Sequence, residues 1–262
     1  MAAEGGVQSV RRAIGVLDCF GGGDASLSLS DLSRRMGLST STTHRLARTL
    51  TGAGFLEQEA RTGRYRLGPS ITELGQLSFH RRGLHRIPPE LAELARITSA
   101  TVDLAVRNDR HAVILSGGSL NPDSGIGLRR PLHSTALGKV LLAWDPEGRA
   151  DLEALGPLRA LTGRTIVDHG ELRAELGRVR EAGYALNDGE SGDGIRTVAV
   201  PVLDRQGHAR YALAVRSTPL VMSDARIDWF VTHARACARA LEVLLIPPAE
   251  RRLRTSDGWA PA

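Results

Sequence analysis

Between Leu29 and Phe55 the chain collects side chains suited to binding rather than to covalent chemistry. Thr43, Leu46 and Leu50 recur at i, i+3 and i+7 and make the buried stripe of a helix, which leaves Thr40, Ser41, Thr42, His44, Arg45 and Arg48 facing outward, with Ser39 as the cap. Hydroxyls at the start of a helix and guanidinium groups further along suit base edges and phosphate oxygens. Just downstream, Arg61, Arg64 and Arg66 add positive charge that could reach a nucleic-acid backbone or minor groove. Catalytic groupings are weaker. His133 beside Ser134 could be read as base and nucleophile, but neighbours in a turn rarely align and no G-x-S-x-G elbow is present. His133 with Asp188 or Glu190 offers no close-spaced ligand cluster, so no metal and no cofactor are expected. Lys139 is the sole lysine; a Schiff base would need it desolvated, and an ion pair on a helix surface is the ordinary alternative. Cys19 and Cys237 lack a CxxC partner and sit in apolar helical contexts.

The elements that must hold the first group read as a helix, a tight turn at Gly37 and a second helix. Ser30 is the expected cap of the first, Asp31 suits its positive end, and Leu32 and Met36 share its inner face. FLEQEARTGRYRLG then predicts two short strands, Phe55–Glu59 and Arg64–Leu67, around a loop of Arg61, Thr62 and Gly63. Upstream, Val10, Ile14, Leu17 and Cys19/Phe20 mark a helix able to close a three-helix core. An ordinary helical hairpin with soluble Ser and Thr residues would explain the central pair alone. Three pieces in this order instead describe a winged helix-turn-helix.

The chain has 262 residues, 42% of them hydrophobic, enough for about two domains. Its net charge of +5 is compatible with a polyanionic partner. Residues 1–68 hold nine arginines against six acids, so over half of the excess lies in about a quarter of the sequence. No signal peptide or long apolar run is evident, so a cytoplasmic protein without a membrane partner is expected.

The expected domains are residues 1–68, the winged helix-turn-helix; 69–84, a linker helix; 85–248, a larger α+β domain; and 249–262, a flexible tail. Met1–Gly6 reads as disordered and Gly21–Ser26 as a flexible connection. Pro69 opens the linker helix, with Ile71, Leu74 and Leu77 as its stripe to about His80, and Arg81–Arg86 reads as a basic loop. Helices are further expected from Pro88-Pro89, at His133–Trp144 capped by Ser134, at Asp145–Gly156, at Asp168–Ala182 and at Ser223–Leu245. Strands are expected at Ala100–Val106, His111–Ser116, Ile126–Leu128, Tyr184–Leu186, Gly194–Leu203 and His208–Arg216, with Gly117–Gly125 a loop.

On RAIGVLDCF, LSLSDLSRRMGLSTSTTHRLARTLTGAGFLE and GRYRLG in the head, and PLHSTALGKVLLAW and GYALNDGESGDGIRTVAVPVLD beyond it, the chain resembles the IclR family of transcriptional regulators from about Val7 to Leu245. The resemblance implies a GAF-like effector-binding domain, a homodimer or homotetramer, a double-stranded DNA operator and a small-molecule effector, an organic acid first among the expectations. It implies an effector pocket from Ala136, Leu137 and Gly138, whose position at a helix start also suits a carboxylate, and from Asn187, Asp188, Glu190, Ile195, Thr197 and Ala214. Arg216 stands where the family usually carries a small or hydroxyl residue. It could clamp a carboxylate, fill the pocket or sit in solvent at the strand end. Asp188 and Glu190 could equally be solvated loop acids. The function implied is a ligand-responsive regulator, a repressor before an activator, on a pseudo-palindromic operator; the competing reading is an enzyme acting on a small metabolite in the second domain.

Overall fold

The fold is described from a computed structural model covering residues 2–22, 24–117, 129–145, 152–252, 254–255 and 258–259. The expected strand Ile126–Leu128, the loop Gly117–Gly125 beyond its first residue and residues 146–151 of the expected helix Asp145–Gly156 lie outside them; of the last, Glu153–Leu155 forms a single 3₁₀ turn. The chain divides into two compact units, residues 1–82 and 83–262.

In the first unit, α1 (Ala2–Asp18), α2 (Leu29–Met36) and α3 (Thr40–Gly52) surround a core of Val16, Phe20, Leu27, Leu32, Ala47, Leu50, Leu56 and Tyr65. The first helix begins at Ala2, not after a disordered Met1–Gly6. Its inward face also differs from the expectation. Val16 and Phe20 are buried, while Val10 and Ile14 are 59% and 54% exposed, because Ala13, Val16, Leu17 and Phe20 follow the i, i+3, i+4, i+7 spacing that meets α2 and α3.

Ser28, not Ser30, caps α2. Its Oγ accepts from the Asp31 N–H at 3.1 Å while the Asp31 carboxylate accepts from the Ser28 N–H at 3.1 Å, a reciprocal capping box that starts the helix two residues earlier. Gly37 ends it at φ 61°, a conformation costly for residues with a Cβ. The wing is antiparallel β1 (Leu56–Gln58) and β2 (Tyr65–Leu67), and α4 (Pro69–Arg81) follows with no buried residue. Residues 81–86 are not a plain loop, since Leu84–Arg86 form a 3₁₀ turn with Leu84 buried.

The second unit is an antiparallel six-stranded sheet in the order β5-β4-β3-β8-β7-β6, built from β3 (Thr101–Asn108), β4 (His111–Gly117), β5 (Arg129–Pro131), β6 (Ala185–Asp188), β7 (Arg196–Leu203) and β8 (Ala209–Ser217). Small residues Ala105, Ala112, Ala199, Ala212 and Ala214 line one face and admit α6 (Ala136–Ala143) and α7 (His169–Ala182). Val102, Leu104, Val198, Val200, Leu213 and Val215 alternate with them on the other face. There α5 (Pro88–Thr98) and α8 (Ile227–Leu245) pack on β3, β7 and β8 and on each other.

The start of α6 is shorter than the sequence implied. Thr135, not Ser134, caps it, accepting from the Gly138 N–H at 3.1 Å. A Cβ at Gly138 would collide with the Leu132 backbone, so glycine is required for that approach. After α8, Arg251 donates to the Ile246 carbonyl at 2.7 Å and the Glu250 carbonyl accepts from the Arg205 N–H at 2.8 Å, and further on β9 (Arg254–Thr255) pairs with β10 (Gly258–Trp259).

Candidate functional site

Two constellations emerge, one in each unit. In the first, Ser39 caps α3, its Oγ accepting from the Thr42 N–H at 3.3 Å, and the Thr43 hydroxyl turns inward to the Ser39 carbonyl at 3.0 Å. Thr40, Ser41, His44, Arg45 and Arg48 are exposed and Thr42 is half-buried. Among the described residues, the guanidinium groups of Arg45, Arg48 and Arg61 have no acidic partner. Arg64 differs. It turns back to donate to Ser26, through Nε to Oγ at 2.9 Å and Nη2 to the carbonyl at 2.7 Å, and bolts the wing to the segment before α2. Arg66 pairs with Glu57 across the wing at 2.6 Å.

The second constellation is a cavity of about 180 Å³ between the first turn of α6 and the sheet face of β3, β7 and β8. Ala136, Leu137, Asn187, Ile195, Thr197, Ala214 and Arg216 line it, as do Asp103, Arg130, Pro131, Thr135, Leu161 and Ser191. Register explains much of this grouping: Asp103 is opposite Ala214, and Arg216 is flanked by Thr101 and Thr197. Arg216 Nη2 lies 3.8 Å from Asp103 Oδ2, with side chains 25% and 6% exposed. Burial lowers the Arg130 guanidinium from its usual value; Asp103 opposes that shift and Arg216 adds to it. Arg216 therefore stands in the wall beside Asp103 and keeps a quarter of its side chain in solvent near the end of β8.

Three residues expected with these lie elsewhere. Gly138 packs on Leu132. Asp188 pairs with Arg196 at 2.9 Å, and the hydrogen bonds from that guanidinium lower its carboxyl below the usual range. Glu190 turns to Lys139 at 2.6 Å. Lys139 is not on a helix surface but 1% exposed, because every residue of α6 is buried. The loop is shaped by Asn187, whose Nδ2 donates to the Ser134 carbonyl at 2.5 Å and whose Oδ1 accepts from the Glu190 N–H at 3.1 Å. His133 is packed, with Nε2 3.0 Å from the Arg159 carbonyl and its pKa lowered by burial. Asp103 and Arg130 escaped the sequence reading because their strands alternate like any others; pairing with β8 and β4 alone brings them to this face. Among the described residues, no helix is long and apolar enough to cross a membrane.

Comparison with known proteins gives a consistent result. Residues 9–60 match the IclR helix-turn-helix domain and residues 80–243 the bacterial transcriptional regulator IclR C-terminal domain. The chain is 35% identical over 251 residues to the HTH-type transcriptional regulator XynR of Escherichia coli, covering 93% of this chain and 99% of that one. It is 36% identical to the glycerol operon regulatory protein of Streptomyces coelicolor, covering 90% and 95%. Among solved structures, an IclR transcriptional regulator from a Silicibacter species superposes with a TM-score of 0.81 at 28% identity, over 92% of this chain and 98% of that one. An IclR homolog from Microbacterium hydrocarbonoxydans, solved as a complex with 4-hydroxybenzoate, gives a TM-score of 0.74 at 26% identity, over 90% and 98%. These relatives are transcriptional regulators, not enzymes, and with both of its units matched the chain belongs to the IclR family of DNA-binding transcriptional regulators.

Proposed function

We propose that this regulator is a repressor in the cytoplasm that binds a pseudo-palindromic operator as a homodimer, or a pair of dimers, and releases it on binding a small organic acid. The outward face of α3, with Arg45 and Arg48 unpaired to any acid among the described residues, carries the DNA-reading half of this proposal. Ser39, Thr40, Ser41, Thr42 and His44 approach base edges, and Arg45, Arg48 and Arg61 approach phosphates. Arg64 serves the DNA by holding the wing.

Two exposed apolar faces in the same unit support a symmetric dimer. Val7, Val10 and Ile14 on α1 are 53%, 59% and 54% exposed, and Leu74 and Leu77 on α4 are 53% and 46% exposed. Leaving them in water forfeits burial energy that a second copy would recover. The cavity supplies the sensing half. Arg130 and Arg216 favour a carboxylate, and the Microbacterium relative was solved with one, 4-hydroxybenzoate.

A mobility-shift titration with DNA from upstream of the protein's own gene tests the proposal. Retarded complexes that weaken steeply with salt, and that dissociate when a mixture of small organic acids is added, are the expected result. Binding insensitive to salt, or no binding across a library of duplexes, would remove the regulator mechanism described here.

A further inference from the structure

We propose that the second unit carries a further binding site, a cavity of about 230 Å³ at the open edge of β7, and that it takes a small organic phosphate monoester. β6 pairs with β7 only as far as Ala199, so Val200, Pro201 and Leu203 continue along an edge that no strand covers among the described residues. The cavity opens there, between the C-cap of α6 at Trp144, the C-cap of α7 at Gly183 and one face of α8. It is separate from the cavity under the first turn of α6: the two share no lining residue and stand at opposite ends of that helix. The edge is closed to a further strand, because Pro201 has no N–H and the Leu203 N–H is already given to Glu242 Oε1 at 3.1 Å. A small molecule is the occupant that remains.

Charge decides what kind of molecule. Arg235, Arg239, Arg252 and Glu242 are the charged residues of the wall. Arg235 and Arg239 are exposed and one turn apart on α8, which puts them on the same face. Arg235 gives Nη2 to the Ala182 carbonyl at 2.7 Å and Arg239 gives Nε to the Arg235 carbonyl at 3.3 Å; among the described residues the terminal nitrogens of Arg239 have no partner. Glu242 offsets little of this charge. Its Oε2 is buried with no hydrogen-bond partner among the described residues, and burial pushes the carboxyl upward, against the Leu203 N–H, Arg252 and Arg239, toward its neutral form. The wall carries two net positive charges with Glu242 ionised and three with it protonated. Away from the arginines it is apolar, with Trp144, Val200, Pro201 and Leu203. A ligand that matches it holds its negative charge in one head. A dicarboxylate spreads its charges over two ends and would bury one against apolar side chains. A phosphodiester, as in nucleic acid or a phospholipid, keeps a single charge. A phosphate monoester carries roughly 1.5 to 2 charges on one group, with three oxygens to share between two guanidinium forks. The remaining space suits a short chain or one ring against Trp144.

Isothermal titration calorimetry on the full-length protein at neutral pH tests this with phenyl phosphate, its methyl diester and terephthalate. Phenyl phosphate should bind at least roughly tenfold more tightly than the diester, the range expected when a charge-assisted hydrogen bond is lost. The titrations are repeated in Arg216→Met, which alters only the other cavity, so that carboxylate binding there is not mistaken for binding here. In that variant phenyl phosphate should keep its affinity and should exceed terephthalate by at least roughly tenfold. Arg239→Met should weaken phenyl phosphate by roughly ten- to hundredfold, and Arg239→Lys by less, since it keeps the charge without the fork. Glu242→Gln retains an acceptor for the Leu203 N–H and removes the opposing charge, so it should tighten phenyl phosphate. Should that buried substitution fail to fold, the exposed Arg239 variants decide alone. Loss of phenyl phosphate in Arg216→Met with full affinity in Arg239→Met would place the phosphate in the other cavity and overturn the proposal. Equal affinity for the monoester and the diester would overturn the ligand class, and no binding of phenyl phosphate would overturn the site.

Discussion

Lys139 Nζ donates to Glu190 Oε1 at 2.6 Å and to Glu175 Oε1 at 3.0 Å, from a side chain only 1% exposed. One ammonium on α6 thus clasps the loop after β6 and the middle of α7. Burial pushes the Glu190 carboxyl up against the opposing pull of Lys139; at Glu175 burial also acts upward, but Lys139 and Arg178 outweigh it and the net direction is down. Asn187 near the end of β6 and Ser191 in the loop held in this way both line the cavity. The chain's single lysine is therefore a buried fastening beside the cavity, not a surface charge.

Lys139→Met should destabilise the second unit by about 3–5 kcal/mol, the range for removing one partner of a buried ion pair. The sign of its pH dependence follows from Glu190. A carboxyl whose folded pKa is raised contributes its full stability below its unfolded pKa and loses it as pH rises through the folded value. Without Lys139 that rise is larger, so the deficit should be smaller near about pH 5 than near about pH 8. Calorimetry at both pH values checks this, and a deficit independent of pH would count against the pairing.

The capping box of α2 makes the opposite prediction. Hydrogen bonds from the Ser28 hydroxyl and N–H, with help from Arg34, lower Asp31 from 3.8 to about 2. A lowered carboxyl contributes stability above its unfolded pKa and loses it as pH falls through the folded one. Acid unfolding of the head should therefore contain a component between pH 3.8 and about 2 that Asp31→Asn removes. Ser28→Ala should cost about 1 kcal/mol at neutral pH, the usual loss for a helix cap. Circular dichroism on acid titration follows both.

Arg45→Ala and Arg48→Ala should each weaken operator binding roughly tenfold without altering the melting midpoint, and should each lower the salt slope by about 0.9 for every phosphate left without its counter-charge. Arg64→Ala should behave differently. Because its guanidinium is spent on Ser26, the variant should lose head stability first and DNA affinity only through it. Binding isotherms at several salt concentrations, beside thermal melts, separate the two classes.

Val10→Glu with Ile14→Glu should leave the fold intact, since both side chains are more than half exposed, and should shift the protein toward a smaller species in sedimentation. Operator affinity should fall with it, because one head reads only one half-site. An unchanged sedimentation coefficient would place the symmetric contact elsewhere.

What the sequence determined by itself was whatever depends on local periodicity. The outward set on α3 is set by the 3.6-residue turn and needs no partner to be identified. The alternation of Ala212, Ala214 and Arg216 along β8 follows in the same way from the two-residue pleat. Local signals erred by a few residues where two candidates competed: Ser28 over Ser30 and Thr135 over Ser134 at helix caps, and Val16 over Val10 and Ile14 on α1. In each case packing and backbone hydrogen bonds beyond the local window chose between them.

Only the tertiary structure decided which charges meet. Asp103 and Arg216 are far apart in the chain and become neighbours because β3 pairs with β8 in one register; a shift of one residue would send Asp103 to the opposite face. Arg130 joins them through β4 and β5. Glu190 leaves the expected pocket set for the same reason, because the loop after β6 turns it onto Lys139. Periodicity tells a residue which side of its own element it occupies, whereas the identity of its partner is fixed by pairing across the sheet.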